Sequence, residues 1–216
     1  MRERKGPWWF KKKYNEASGI RRTDDDILAE VGRSLAGILR KGLVPELIRG
    51  PEEILLCHPG DHGDAALGIC LYDIGENREA AEPGMVLYGS ELYQPPKYLD
   101  LYYMITAYAD SELRYRAETE QRVLGRVMQI FYDIPVLDAD TLKPSGKEQV
   151  DGRDLRIQFL NLTSEEKRDI WNLSGTPYQL SLFYRITPVE LVSKVSVKTK
   201  PVSQIMVELR QETRRE

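Results

Sequence analysis

LDLYYMITAY, residues 99–108, is the stretch that decides the fold, because it reads as one long strand. One face is apolar and carries Leu99, Leu101, Tyr103, Ile105 and Ala107. The other face is amphipathic and carries Asp100, Tyr102, Met104, Thr106 and Tyr108. A strand with two usable faces packs against a core on one side and against a helix or a partner on the other. Since no nearby residue pattern is typical of a reaction centre, the stretch favours a protein that acts through its surface.

The segments around this strand predict an α/β (α+β) domain with a mixed, mainly antiparallel sheet and about three helices. Apolar residues recur at helical spacing in three segments, at 23–42, 112–132 and 164–171. Further strands are predicted at 54–57, 67–74, 85–88, 155–160 and 178–186. The strand at 67–74 carries little charge on either face and is expected to be central. Pro188 is expected to close the compact part of the chain.

Composition narrows the class of protein. The chain has 216 residues, enough for one large domain or a domain with extensions, and its 41% hydrophobic content is typical of a soluble globular protein. Its net charge of -3 gives no overall attraction to nucleic acid or an acidic membrane. Two cysteines are too few for a disulfide framework, so a reduced, cytoplasmic site of assembly is expected. No apolar run is long enough for a spanning helix, and the basic start lacks the apolar region of a secretory signal.

Residues 1–23 differ from the rest and are predicted to be an N-terminal arm. Its first 15 residues carry six basic side chains against Glu3 alone, with three aromatic residues between them. Two interpretations stay open, a solvated leader and a docking arm for a membrane surface or a protein groove. The candidate docking residues are Trp8, Trp9, Phe10, Lys11, Lys12 and Lys13.

Residues 193–216 are predicted to be a C-terminal arm or a set of edge strands. Val195 and Val197 alternate with lysines, and a second alternating run follows at 204–210. Lysine on an alternating strand protects a free sheet edge from aggregation, which is typical of a solvent-facing edge strand. The same pattern suits a strand offered to another subunit, and we favour this second interpretation. Its candidate partner-binding residues are Val195, Val197, Lys198, Ile205 and Val207.

The residues best suited to chemistry lie in and beside the loop 58–64. They are Cys57, His58, Asp61, His62, Asp64 and Cys70. Cysteine and histidine are typical zinc ligands, but this spacing matches no defined zinc pattern. A small metal-dependent hydrolase using this loop is therefore kept as the alternative, and we expect no metal, cofactor or catalytic residue. Asp100 is expected to be structural, either paired with an arginine such as Arg126 or Arg185 or placed on a subunit interface.

Four groups of residues together carry a family resemblance. They are LYDI at 71–74; LDLYY at 99–103 with TAY at 106–108; LGR at 124–126 with MQ at 128–129 and YD at 132–133; and TPY at 176–178 with Leu180, Ser181, Tyr184 and PV at 188–189. In this order and spacing, from about residue 24 to about residue 192, the chain resembles the cap, or tail-terminator, proteins of extracellular contractile injection systems. These are phage-tail-like particles of the virulence-cassette and antifeeding-prophage type.

The resemblance implies a structural protein without enzymatic activity. It implies a tail-terminator-like domain at 24–192 that closes into a ring of six copies, stops growth of the inner tube and anchors the last sheath ring. The implied partners are further copies of the chain, the inner tube protein and the sheath protein, with a membrane or a second cap protein as a further candidate for residues 1–15. A neck or baseplate adaptor of the same particle is the structural alternative. Assembly is expected in the cytoplasm as part of such a particle.

Overall fold

A computed structural model describes residues 26–81, 84, 86–88, 91–137, 154–193 and 196–198. Within them lie three α-helices, α1 (Ile27–Leu43), α2 (Leu113–Asp133) and α3 (Ser164–Ser174). The strands are β1 (Ile54–Leu56), β2 (Leu67–Glu76), β3 (Val86–Tyr88), β4 (Glu91–Tyr93), β5 (Lys97–Ala107), β6 (Val136–Leu137), β7 (Leu155–Phe159), β8 (Ser181–Leu191) and β9 (Ser196–Lys198).

Two sheets are formed by the described residues. The larger has the strand order β1-β2-β5-β8-β7-β6, with β1 parallel to β2 and every other pair antiparallel. The smaller has the order β3-β4-β9 and is antiparallel throughout. The predicted fold class, an α+β domain with a mixed and mostly antiparallel sheet and three helices, is confirmed.

The strand that opened the sequence analysis lies in the middle of the larger sheet as β5. Its residues form cross-strand rows with β2 and β8, and successive rows belong to opposite faces. The row at Tyr103 belongs to the main core beneath α1 and α2, and the row at Met104 packs with Trp171 of α3. Both faces of β5 are therefore largely buried, as the two-faced pattern predicts.

Helix α1 packs on the main core through one apolar stripe. Val31, Leu35 and Leu39 are fully buried in the main core. The side chain of Arg40 donates hydrogen bonds to the carbonyl oxygens of Pro51 and Ile54, at 2.8 and 2.7 Å, and so ties the end of the helix to β1. The helix begins at Ile27; the cap predicted from Thr23 onward lies partly outside the described residues.

Helices α2 and α3 lie on opposite faces of the sheet. Where α2 meets α1, the Nε of Arg126 donates to the carbonyl oxygen of Gly42 at 3.3 Å. Helix α3 starts with a capping box, in which the Thr163 hydroxyl accepts from the Glu166 backbone and the Glu166 carboxylate accepts from Thr163. It ends at Gly175, whose φ of 66° is a left-handed conformation that glycine adopts without strain.

The structure corrects the expectation that Pro188 closes the compact part. Strand β8 runs through Pro188 to Leu191 and pairs with β5 on both sides of it. The ladder shifts register between Leu99 and Leu101 of β5, opposite this part of β8, and a proline is tolerated in a strand at such an irregularity. Two short strands, β4 and β6, were not predicted, because β4 begins with the charged Glu91 and β6 has two residues, whereas the equally short β1 and β3 are continuous apolar runs.

Candidate assembly surfaces

Asp100 is the buried charge of the larger sheet, and its surroundings are structural. It is 8% exposed on β5. Its Oδ1 accepts hydrogen bonds from Asn77 Nδ2 at 2.9 Å and from the Thr187 hydroxyl, and its Oδ2 lies 3.5 Å from Arg185 Nη1. Of the two arginines considered from the sequence, Arg185 is therefore the partner.

A polar cleft of about 530 Å³ opens beside this cluster. Its walls carry both signs of charge: Glu76, Arg78, Glu79, Asp100, Asp154, Arg156 and Arg185. The Nε and Nη2 of Arg185 are held by Gln158 Oε1 at 3.0 and 2.5 Å, and Arg78 lies near Glu76 at 3.7 Å. Acidic and basic groups along the cleft largely neutralise each other, so it has no strong preference for a ligand of one charge.

The loop 58–64 lacks the geometry of a metal site. The Nδ1 of His58 accepts a hydrogen bond from the Gly60 backbone at 3.3 Å, and the His62 ring stacks on Tyr108 with centroids 3.9 Å apart. Among the residues that the structure describes, which include this whole loop, no group of three or more His, Cys, Asp or Glu side chains could hold a metal ion. The metal-dependent hydrolase has no observation in its favour here.

The two cysteines and Tyr108, which lie beside this loop, have raised pKa values. Burial raises the pKa of Cys57, and it raises the pKa of Cys70 to about 11. Burial also raises the pKa of Tyr108 to about 12. A thiol with a raised pKa is a weak nucleophile at neutral pH, unlike the low-pKa cysteines of catalytic sites.

Exposed apolar side chains mark the β6–β7 end of the larger sheet. We call Tyr132, Ile134, Val136 and Phe159 the edge patch. Phe131 at the end of α2 and Phe159 of β7 both pack edge-on against the Tyr184 ring, at 4.9 and 5.4 Å, which brings the last turn of α2 beside β7. The Ile157 backbone N–H donates to the Pro135 carbonyl oxygen at 2.8 Å, and within the described part of the chain β6 pairs with Leu155 and Arg156. Apolar side chains at the end of a sheet are typical of a protein interface.

A second exposed apolar group, the α3 patch, lies on the other face of the sheet. It consists of Leu173, Tyr178 and Leu180. Leu173 is 87% exposed at the end of α3, and the Tyr178 ring packs edge-on against the buried Trp171 at 6.0 Å. The patch is therefore continuous with the smaller core around Trp171.

Most of the predicted partner-binding residues lie outside the described residues. These are Trp8, Trp9, Phe10, Lys11, Lys12, Lys13, Val195, Ile205 and Val207. Val197 and Lys198 lie in β9, opposite Leu92 and Glu91 of β4. Their pairing within this chain is compatible with an edge strand, and their contact with another subunit stays a prediction. The edge patch was not predicted from the sequence, because helical spacing does not reveal whether Tyr132 at the end of α2 is covered.

The described helices contain no segment that is both long and apolar enough to cross a membrane.

Comparison with known proteins gives a family and a fold. Residues 30–205 match the model of the Pvc16 N-terminal domain, and no curated protein sequence matches the chain. Among solved structures, the fold is similar to the sheath/tube terminator of PVC, an extracellular contractile injection system, in the extended state, with a TM-score of 0.62 and 18% identity. It is also similar to the tube-terminating cap of the anti-feeding prophage, with a TM-score of 0.58 and 16% identity.

These alignments cover most of this chain and less of the two solved proteins. They span 89% and 87% of this chain, but 65% and 62% of the PVC terminator and the anti-feeding prophage cap. The resemblance predicted from the four groups of residues is confirmed. The chain belongs to the Pvc16 N-terminal domain family.

Proposed function

We propose that this chain is a structural cap of a contractile injection particle, which terminates the inner tube and anchors the last ring of the sheath. The proposal is carried by the likeness of its fold, over most of its length, to two solved terminators. It is supported by the raised pKa of both cysteine thiols, which makes them weak nucleophiles at neutral pH.

The cap acts as a ring of six copies. A closed ring needs a head-to-tail contact between two different surfaces of each copy. The two ends of the larger sheet are such surfaces, since six strands at about 4.8 Å spacing place β1 roughly 24 Å from β6. The edge patch supplies exposed apolar area at one end, and Leu56, 45% exposed on β1, supplies it at the other. We assign the ring contact to the edge patch of one copy and the β1 edge of the next.

This contact is made by side chains rather than by a continuous backbone ladder. β1 has three residues and β6 has two, so neither edge offers a long row of free backbone groups. Apolar side chains buried between copies contribute about 25 cal/mol per Å² of area removed from water. Six identical contacts around a closed ring then make loss of one copy improbable.

The sheath contact is assigned to the C-terminal segment. In the described part of the smaller sheet, β9 pairs with β4 on one side and lies at the edge of the strand order. An edge strand can extend its sheet by one strand from another chain. The N-terminal residues 1–15 serve as a separate docking arm for a membrane or a second cap protein, and they are not required for ring closure.

The ring is tested by a matched pair of substitutions on α2. Tyr132 in the edge patch is 85% exposed and Leu113 at the other end of the helix is 82% exposed, so either change to Glu leaves the core intact. We expect six-copy rings by native mass spectrometry for the wild type and for Leu113→Glu, and smaller species for Tyr132→Glu. Rings formed equally well by Tyr132→Glu would remove the edge patch from the contact.

Two truncations test the arms. Deletion of 1–15 is expected to leave rings intact, whereas deletion of 194–216 is expected to leave rings that no longer retain the sheath protein in a pull-down. If the shorter N-terminal variant fails to form rings, that arm is a joint between subunits. In labelled particles, density at the baseplate end would favour the adaptor over the cap.

A further inference from the structure

The two cysteines of the chain are neighbours across β1 and β2. The strands are parallel, with Leu56 opposite Ile69. The Cys57 backbone N–H donates to the Ile69 carbonyl oxygen at 3.1 Å, so the ladder continues one residue beyond β1. In a parallel ladder this bond places Cys57 opposite Cys70.

Both sulfur atoms belong to the same face of the sheet. Gly68 and Cys70 are two residues apart on β2 and share that face. A Cβ atom placed on Gly68 would lie 3.0 Å from the Cys57 Sγ, so the Cys57 side chain occupies the space that glycine leaves empty. The Cys57 sulfur therefore lies over β2 near Gly68, on the face of the sheet that also carries Cys70.

The backbone spacing is suitable for a bond between them. Neighbouring strands lie about 4.8 Å apart, and disulfides join residues whose Cα atoms are roughly 4.4–6.8 Å apart. Cys57 is partly exposed and Cys70 is buried, and both are free thiols in the structure. An oxidant in solution therefore reaches Cys57 first.

We propose that Cys57 and Cys70 form an intramolecular disulfide when the protein meets a disulfide oxidant such as glutathione disulfide. The Cys57 thiolate attacks one glutathione sulfur, the glutathione S–S bond breaks, and a mixed disulfide forms as one glutathione thiolate leaves. The Cys70 thiolate then attacks the Cys57 sulfur, the protein S–S bond forms, and the second glutathione thiolate leaves. Each departing thiolate takes up a proton lost by a cysteine, so two cysteine thiols are oxidised and one glutathione disulfide is reduced.

The Cys57–Cys70 disulfide would link the edge strand β1 covalently to β2. β1 has three residues, and the loop between it and β2 contains both histidines of the chain. A bond from Cys57 to Cys70 ties the end of β1 to the body of the sheet. Because burial raises the pKa of both thiols, exchange at neutral pH is slow and accelerates as the pH rises toward 9.

Intact mass spectrometry of the folded, full-length protein after incubation with glutathione disulfide tests the proposal. For the wild type we expect a species that has lost two hydrogen atoms, with no glutathione retained and no free thiol. Cys70→Ser should accumulate one glutathione on Cys57, because the second attack is impossible, and Cys57→Ser should remain unmodified while folded. Reduction with dithiothreitol should return the wild type to two thiols.

Two results would overturn it. One is a stable glutathione adduct on Cys57 of the folded wild type with Cys70 still free. The other is a disulfide that appears only after denaturation in urea. Cys57 follows Leu56 at the β1 edge that the proposed ring contact covers, so the incubation is repeated on Tyr132→Glu, in which that edge is expected to be uncovered. The same disulfide is expected there, which separates failure of this proposal from failure of the proposed ring.

Discussion

Replacing Asp100 with Ala should destabilise the domain more than its single buried charge suggests. The change removes the acceptor of Asn77 and of Thr187, and it removes the ion-pair partner of Arg185. Thr187 is buried on β8, so its hydroxyl would lose the acceptor to which it donates and keep only the hydrogen bond that it accepts from Asn77 Nδ2 at 3.0 Å. The substitution therefore disrupts contacts between β5, β8 and the turn after β2.

The expected loss in the free energy of unfolding follows from these contacts. Each hydrogen bond to a carboxylate contributes about 1.5 kcal/mol, which gives about 3 kcal/mol for the two. The ion pair adds little, because the Arg185 side chain is 37% exposed and solvent screens it. For a domain of this size, about 3 kcal/mol corresponds to a loss of roughly 10 °C in Tm.

Asp100→Asn is the matched control, since it keeps the Oδ1 acceptor and the shape while removing the charge. We expect it to cost less than about 1.5 kcal/mol. Urea unfolding followed by tryptophan fluorescence, at one fixed protomer concentration, measures both variants against the wild type. The reasoning is refuted if Asp100→Ala lies within about 0.5 kcal/mol of the wild type, or if the Asn variant is as unstable as the Ala variant.

Two further predictions concern helix α1 and alkaline pH. Gly37→Ala should stabilise the protein by roughly 0.5–1 kcal/mol, because a Cβ at this position meets open space and alanine favours the helix. Gly42→Ala should destabilise it by roughly 1–2 kcal/mol, because the new Cβ would lie 2.5 Å from the buried Ile130 Cδ1. Thermal unfolding of the two variants should show Tm changes of opposite sign, and a gain in both would contradict the close contact. Burial raises the pKa of Tyr184 and of Tyr108 to about 12 in the folded state, above the unfolded value of about 10, so the unfolded chain releases protons first. The contribution of these two tyrosines to stability is complete below about pH 10 and is lost as the pH rises through 12. Urea unfolding should therefore give a lower free energy of unfolding at pH 11 than at pH 8. Equal free energies of unfolding at the two pH values would contradict this prediction.

Local periodicity predicted the elements that bury an extended stripe or face. The apolar spacing of Val31, Leu35 and Leu39 is that of α1, and the alternation through Tyr103 is that of β5. In each, several residues repeat one contact with the core, so the period is visible in the sequence. β4 is short and begins with the charged Glu91, and its pairing with β9 depends on a segment more than a hundred positions away.

The hydrogen-bond partners of Asp100 were also predicted only in part from the sequence. A charged residue on a central strand predicts a buried partner, and Arg185 was one of two arginines considered. Asn77 and Thr187 were not predicted, because they lie 23 and 87 positions from Asp100 and meet it only through the strand register and its bulges. Register between distant strands is set by the packed sheet, not by local sequence.

The candidate assembly surfaces were the least predictable part. Tyr132 continues the apolar side of α2, and the end of this helix near Asp133 was predicted, but only the packed structure shows that the Tyr132 ring is exposed. Exposure is a property of what the remaining elements fail to cover, so amphipathic spacing alone does not reveal it. The arm residues from Trp8 to Lys13 stay a prediction.

The most direct test of the central claim is electron microscopy of inner tubes grown from the tube protein with increasing amounts of this chain. We predict that the chain appears as one six-fold ring at a single end of each tube, and that mean tube length falls as its concentration rises. Tubes of unchanged length, with the chain absent from their ends or bound along their walls, would contradict its role as a terminator.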